Sequence, residues 1–329
     1  MCIRDSIALA SQIALHWGYV GSRRDGPNIF TLLEELDELK LFQSFLQFAF
    51  PRDRDMIVPL AFLEQCEKHG WDSFTETLTE MIGETTVQTA THNIQFIGQI
   101  ALLKRGKQSQ RIQLLRKLLT SFIATLTGWE TNIEVSADWQ FKRMERGKIL
   151  VGVVRALSAV RDPKLTNEFL THMRALPERY PMFPMQIVAL GELQPVLKEP
   201  YPELVPWLTA CRQALEAMTV AEPTEPTDLS RPAPIVCRCN ECNLVNEFLR
   251  NPAQNEHRVR AVEYTRSHVG ERIRQFQCDL AGATEKKGSP YTLVLTKTDA
   301  SFQCALAKYH EDMKDLNMIK AIEAKVAGE

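Results

Sequence analysis

Apolar residues recur at three- and four-residue spacing through most of residues 7–218, a period that predicts a succession of amphipathic helices. From Phe30 to Phe50, one stripe carries Leu32, Leu33, Leu36, Leu39, Phe42, Phe45, Leu46 and Ala49, and Pro51 ends it. A second helix runs from Ile57 to Lys68. His69-Gly70 closes it, because a glycine takes the left-handed conformation that caps a helix, and Trp71 folds back as the hydrophobic contact. That capping role accounts for Cys66-Glu67-Lys68-His69-Gly70-Trp71 better than Cys/His chemistry does.

Further helices are predicted from Thr86 to Lys104, Ser109 to Thr127, Phe141 to Val160, Lys164 to Leu176, Met185 to Leu197 and Glu203 to Met218. Gly83, Gly106, Asp162-Pro163 and Pro177 punctuate them. Short connections pack successive helices antiparallel, so residues 7–219 read as an irregular, solenoid-like helical array without a crisp repeat. Met182 to Met185, with Phe183, reads as packing.

The pattern breaks at residues 220–235, where Pro223, Pro226, Pro232 and Pro234 stand among Thr, Glu, Asp and Ser, the composition of an extended linker. Residues 236–329 predict a small α+β module. It has a short helix from Glu241 to Arg250 and a longer one from Val259 to Phe276. A hairpin joins Asp279–Thr284 to Tyr291–Lys297 around Lys286-Lys287-Gly288-Ser289-Pro290, and a last helix runs from Ser301 to Val326. The expected fold class is mainly α: a helical array followed by a cysteine-rich α+β module.

Composition adds limits. A chain of 329 residues with 44% hydrophobic content builds ordinary cores, and a net charge of −2 gives no strong pull toward nucleic acid or anionic membrane. No apolar run is long enough to span a membrane, so a cytoplasmic location is expected. Met1 to Ser6 reads like a translated sequencing-adapter remnant, which places the natural start upstream and implies that an N-terminal domain is missing.

Three of the 8 cysteines, Cys237, Cys239 and Cys242, fall within six residues of each other. Clustered thiols in a reducing compartment point to a metal, and this spacing wraps one tetrahedral zinc. The fourth ligand must come from elsewhere. His268 is the first choice, Cys278 the alternative and His257 the third; a continuous helix holds His268 and Cys278 about 15 Å apart, so they exclude one another. Cys66, Cys211 and Cys304 sit singly in helical patterns and read as buried small hydrophobes. The chain has no glycine-rich phosphate loop, no G-x-S-x-G and no H-E-x-x-H. His310-Glu311-Asp312 has the H-x-D form of non-haem iron sites but lacks a following histidine, so no catalytic residue is assigned.

With these residues in view, the chain resembles the C-terminal half of large 2-oxoglutarate/Fe(II) oxygenase-like proteins of the prolyl-hydroxylase-like kind, over roughly residues 57–310. The likeness is carried by Cys66 to Trp71 and by Glu225-Pro226-Thr227-Asp228. In the tail it rests on Cys237, Cys239, Cys242, Phe248-Leu249, Arg266, His268, Cys278 and Thr284 to Pro290. A histidine associated with the stretch after Cys278 is replaced by Ala281 to Ala283. The resemblance implies that iron and 2-oxoglutarate belong to a jelly-roll domain outside this chain. It implies for the chain itself a noncatalytic interaction or scaffolding role, with a protein or the missing oxygenase domain as partner. The competing expectation is a nucleic-acid-binding zinc module using Arg258, Arg260, Arg266, Arg272, Arg274, Lys286 and Lys287. Glu256, Glu263, Glu271, Asp279 and Glu285 lie among those cations and favour a solvated face instead.

Overall fold

Gly70 carries a φ of 85° directly after the helical residues 66–69, and Trp71 behind it is 1% exposed, so the predicted glycine stop is a capped helix end. The structure is a computed structural model and describes residues 66–103, 108–131, 145–197 and 199–328. The predicted helix at 30–50, most of that at 57–68, and residues 1–6 lie outside the described residues.

The described chain forms two units, one of residues up to Arg212 together with those from Met318, the other Gln213–Asn317. In the first, a 3-10 turn at Trp71–Phe74 leads to helices α1 (Thr75–Gly83), α2 (Ala90–Leu102), α3 (Gln108–Thr131), α4 (Arg146–Val160), α5 (Pro163–Ala175), α6 (Ile187–Leu193) and the first part of α7 (Val205–Met218), whose residues from Gln213 belong to the second unit. α4 is buried on every side from Ile149 to Val154, as a helix inside a core is, and Leu78, Ile94, Ile97, Leu118, Phe122, Leu157, Phe169, Leu190 and Trp207 are among the buried apolar residues of the helices around it. Helices α2 and α4 approach closely at Gly152, where a Cβ would stand 2.7 Å from Ile94 Cγ1. Asp162 caps α5 by accepting from the Leu165 N–H at 3.1 Å, with Pro163 in the first turn, as the Asp-Pro pair predicts.

Two differences from the predicted helices have local causes. Residues 71–83, unassigned by periodicity, hold the 3-10 turn and α1. The helix predicted from Met185 to Leu197 is shortened to α6, because Phe183 is extended (φ −111°, ψ 130°) and Met182–Gln186 forms a wide turn. Gln186 locks that turn: its Nε2 donates to the Tyr180 carbonyl at 2.7 Å and its Oε1 accepts from Trp207 Nε1 at 2.6 Å.

The second unit contains α8 (Asn240–Arg250), β1 (Glu256–Arg260), α9 (Glu263–Gln275), β2 (Leu280–Glu285), β3 (Thr292–Lys297) and the first part of α10 (Ala300–Ala327). The antiparallel sheet has the order β1-β3-β2 and pairs Val259 and Thr284 with Leu293. Val259, Leu293 and Leu295 on one face close a core with Ile235, Val245, Phe248, Leu249, Val269 and Ile273. The β2–β3 hairpin and the last helix are as predicted. The single helix predicted from Val259 to Phe276 is instead strand β1 followed by α9. Cys304 is exposed rather than buried, while Cys66 and Cys211 are buried as expected.

Residues 220–235 have no regular secondary structure. Their distal half is bound to the second unit: the Arg231 N–H donates to the Leu249 carbonyl and its Nε to the Thr298 carbonyl, each at 2.7 Å, and Ile235 enters the core. The last turns of α10 belong to the first unit, where Ile319, Ile322 and Val326 are buried and Glu323 accepts from Arg212 Nε at 2.8 Å. The chain is mainly helical with a small three-stranded antiparallel sheet, and no described helix is long and apolar enough to cross a membrane.

Candidate metal centre

Cys239 occupies the N-cap of α8 in an extended conformation (φ −67°, ψ 157°), which turns the chain from the run at 235–239 into the helix. Cys242 then lies in the first turn of α8, and Cys237 lies two residues before the cap. His268 comes from the middle of α9, beside Val269, whose burial in the core fixes that helix against α8. The ligand atoms of Cys237, Cys239, Cys242 and His268 all lie within 4.8 Å of one another. His268 Nε2 is 3.4 Å from the Cys237 sulfur and 3.6 Å from those of Cys239 and Cys242. Cys242 is buried and the other three are half-buried. This set could hold a metal ion.

The backbone N–H of Cys239, and then the His268 ring, stabilise the Cys237 thiolate and bring its pKa down to about 6. Burial first, and then the neighbouring Cys239 and Cys237, push Cys242 up to about 12. Cys237 is thus held toward its thiolate and Cys242 toward its thiol. A divalent cation reverses the balance, since a coordinating thiol is deprotonated outright.

The two other predicted ligand choices stand apart from this group. Cys278 follows α9 after Gln277 (φ 49°), donates its N–H to the Ile273 carbonyl and packs against the apolar core; burial raises its thiol pKa. The helix does end before Cys278, but the break turns that thiol into the core. His257, on β1, stacks on Phe248 with ring centroids 5.2 Å apart, and burial lowers its pKa. The H-x-D run of α10 is divided between other partners: His310 Nε2 lies 3.7 Å from Glu222 Oε1, and Asp312 accepts from Lys308 at 3.1 Å.

Several of the basic residues around the sheet are turned to internal partners. Arg258 bridges Glu256 and Glu285, and Arg266 donates to the Ala261 and Tyr291 carbonyls while lying over the Tyr291 ring. Arg272 and Arg274 bond within α9, to the Gln275 side chain and to the Gly270 carbonyl. Asp279, 3% exposed, accepts from the Ser301 N–H at the start of α10.

Sequence reasoning missed a second polar cluster, in the first unit. Glu130, at the end of α3, has a fully buried carboxylate that accepts from Arg146 Nε and Tyr180 Oη and bonds His172 Nε2, all at 2.8 Å. Arg179 donates to the Glu130 carbonyl. Burial raises the Glu130 pKa, but the bonds to His172, Arg146 and Tyr180 outweigh it and hold the carboxyl below its usual range. The partners lie 16 to 50 residues from Glu130, so no local motif announces them. The cluster joins the ends of α3, α4 and α5 to the turn after α5.

Comparison with protein-family models, curated proteins and solved structures finds no match for this chain.

Proposed function

We propose that Cys237, Cys239, Cys242 and His268 bind one structural zinc ion, and that the chain serves as a noncatalytic interaction or scaffolding region built from a helical array and a metal-stapled module. One observation carries the zinc assignment. A tetrahedral ion with Zn–S of about 2.3 Å and Zn–N of about 2.0–2.1 Å separates nitrogen from sulfur by about 3.6 Å. The three separations are 3.4, 3.6 and 3.6 Å. Three soft thiolates and an imidazole suit zinc better than the hard cations that prefer oxygen. Four protein ligands leave no open position for a water or substrate, which is the arrangement of structural rather than catalytic zinc. A metal held by these four side chains would also add folding free energy to the small core that α8 and α9 share.

In this reading the chain binds and holds, and its partner is a protein, in keeping with the resemblance to the C-terminal half of 2-oxoglutarate oxygenase-like proteins. Nucleic acid is the weaker alternative, because Arg258 and Arg266 spend their donors inside the module. Zinc content of the purified full chain and of Cys239→Ser tests the reading. About one equivalent is expected in the wild type, with loss of most of it in the variant. A folded wild-type protein without metal would refute it, and succinate formation by the iron-loaded chain with 2-oxoglutarate would refute the noncatalytic role.

A further inference from the structure

Asn246 sits on α8 one turn beyond Cys242, 8% exposed, and its Nδ2 donates to the Ile235 carbonyl at 2.7 Å. Ile235 is buried in the core two residues before Cys237. The run from Ile235 to Cys239 lies in no helix or strand, so no ladder of backbone bonds fixes it. What ties it to α8 is a pair of asparagines. Asn243 donates its N–H to the Cys239 carbonyl at 3.0 Å and its Nδ2 to the Arg238 carbonyl at 3.3 Å, while Asn246 holds the upstream end.

The other half of the Asn246 amide is informative. Its Oδ1 is buried and has no hydrogen-bond partner. A buried, unpaired acceptor is unfavourable, and a leucine of similar size would fill the space without that cost. Leucine cannot donate to the Ile235 carbonyl. As packing the amide is a poor choice; as a donor to the ligand run it is a good one.

We infer that Asn246 is the positioning residue of the metal centre: it fixes the backbone before Cys237, so that this sulfur stays within bonding distance of the ion that Cys239, Cys242 and His268 hold. The inference rests on the metal reading above and adds a residue that does not touch the metal. Outer partners of this kind change metal affinity by about 10–100-fold.

The test is Co²⁺ affinity of the full chain by chelator competition, read through the ligand-field band of tetrahedral Co²⁺, for wild type, Asn246→Leu and Asn246→Asp. Leucine has no donor for the carbonyl, and the aspartate has none once it is ionised, so the Asn246→Asp comparison is made at a pH above the titration of its buried carboxyl. Both should bind about 10–100-fold more weakly than wild type, at a temperature where circular dichroism shows all three folded. Unchanged affinity, with only a lowered melting temperature, would make Asn246 a purely structural residue and overturn the inference. A second measurement needs no variant. In the metal-bound wild type the Asn246 side-chain amide protons should exchange slowly with solvent, and chelation should release them; rapid exchange with metal bound would overturn the inference even if neither variant folds. If the wild type binds no Co²⁺ or Zn²⁺, the metal reading itself fails and this inference with it. Wild-type binding with unaffected variants removes the inference alone.

Discussion

Cys237 Sγ and His268 Nε2 stand 3.4 Å apart across 31 residues of chain. The contact is made because α8 and α9 share one apolar core, in which Val245 and Leu249 meet Val269 and Ile273. The core brings the four side chains together, and an ion bound by them would tie the cysteine run to both helices, so that metal and core would stabilise the same element.

Chelation should accordingly act on the second unit. Limited proteolysis with metal bound should cut first in the exposed, irregular stretch around residues 221–228. With chelator, cleavage should spread through residues 229–297, because Arg231 and Ile235 lose the surface they are bonded to. The helices before Arg212 have their own core and should remain resistant. Mass analysis of the fragments reads the result. Loss of the first unit at the same rate and chelator concentration would show that it depends on the metal too.

A separate expectation concerns Glu130. Its folded pKa is depressed, so its contribution to stability is complete above the ordinary glutamate range, near about 4.3, and is lost as pH falls through the lower folded value. Removing one partner of a buried ion pair costs about 3–5 kcal/mol. Glu130→Gln should therefore destabilise the first unit by roughly that amount near neutral pH, as measured by urea unfolding. The gap between wild type and variant should narrow on acidification below about pH 4. A gap that widened there would mean that the carboxyl is not held ionised by His172, Arg146 and Tyr180.

Some of this architecture was legible in the sequence, and the boundary of legibility follows from the range of the interactions. The helix ends at Gly70 and Asp162-Pro163 are set by neighbouring residues, and both were read correctly. The β2–β3 hairpin carries its own alternation and turn, and it forms in the predicted place. Strand β1 was missed because Glu256-His257-Arg258-Val259-Arg260 offers one buried apolar residue and owes its extended form to pairing with β3. Cys304 was misread because helical spacing alone does not say which face of α10 meets the core. The Glu130 cluster is invisible to any local pattern, since its members meet only through tertiary packing. The three cysteines are the opposite case: their spacing points to a metal before any fold is known, and the fold adds that His268, the first choice from sequence, stands 3.4–3.6 Å from all three sulfurs while Cys278 and His257 have other surroundings.

Zinc K-edge X-ray absorption on the purified, zinc-loaded chain tests the central claim most directly. Three sulfur scatterers at about 2.3 Å and one nitrogen at about 2.0–2.1 Å are expected, and the outer-shell imidazole scattering should be lost in His268→Ala, where a water oxygen takes the nitrogen's place. A zinc ion surrounded by oxygen or nitrogen alone, or a four-sulfur shell unaffected by the His268 substitution, would contradict the Cys237, Cys239, Cys242 and His268 site.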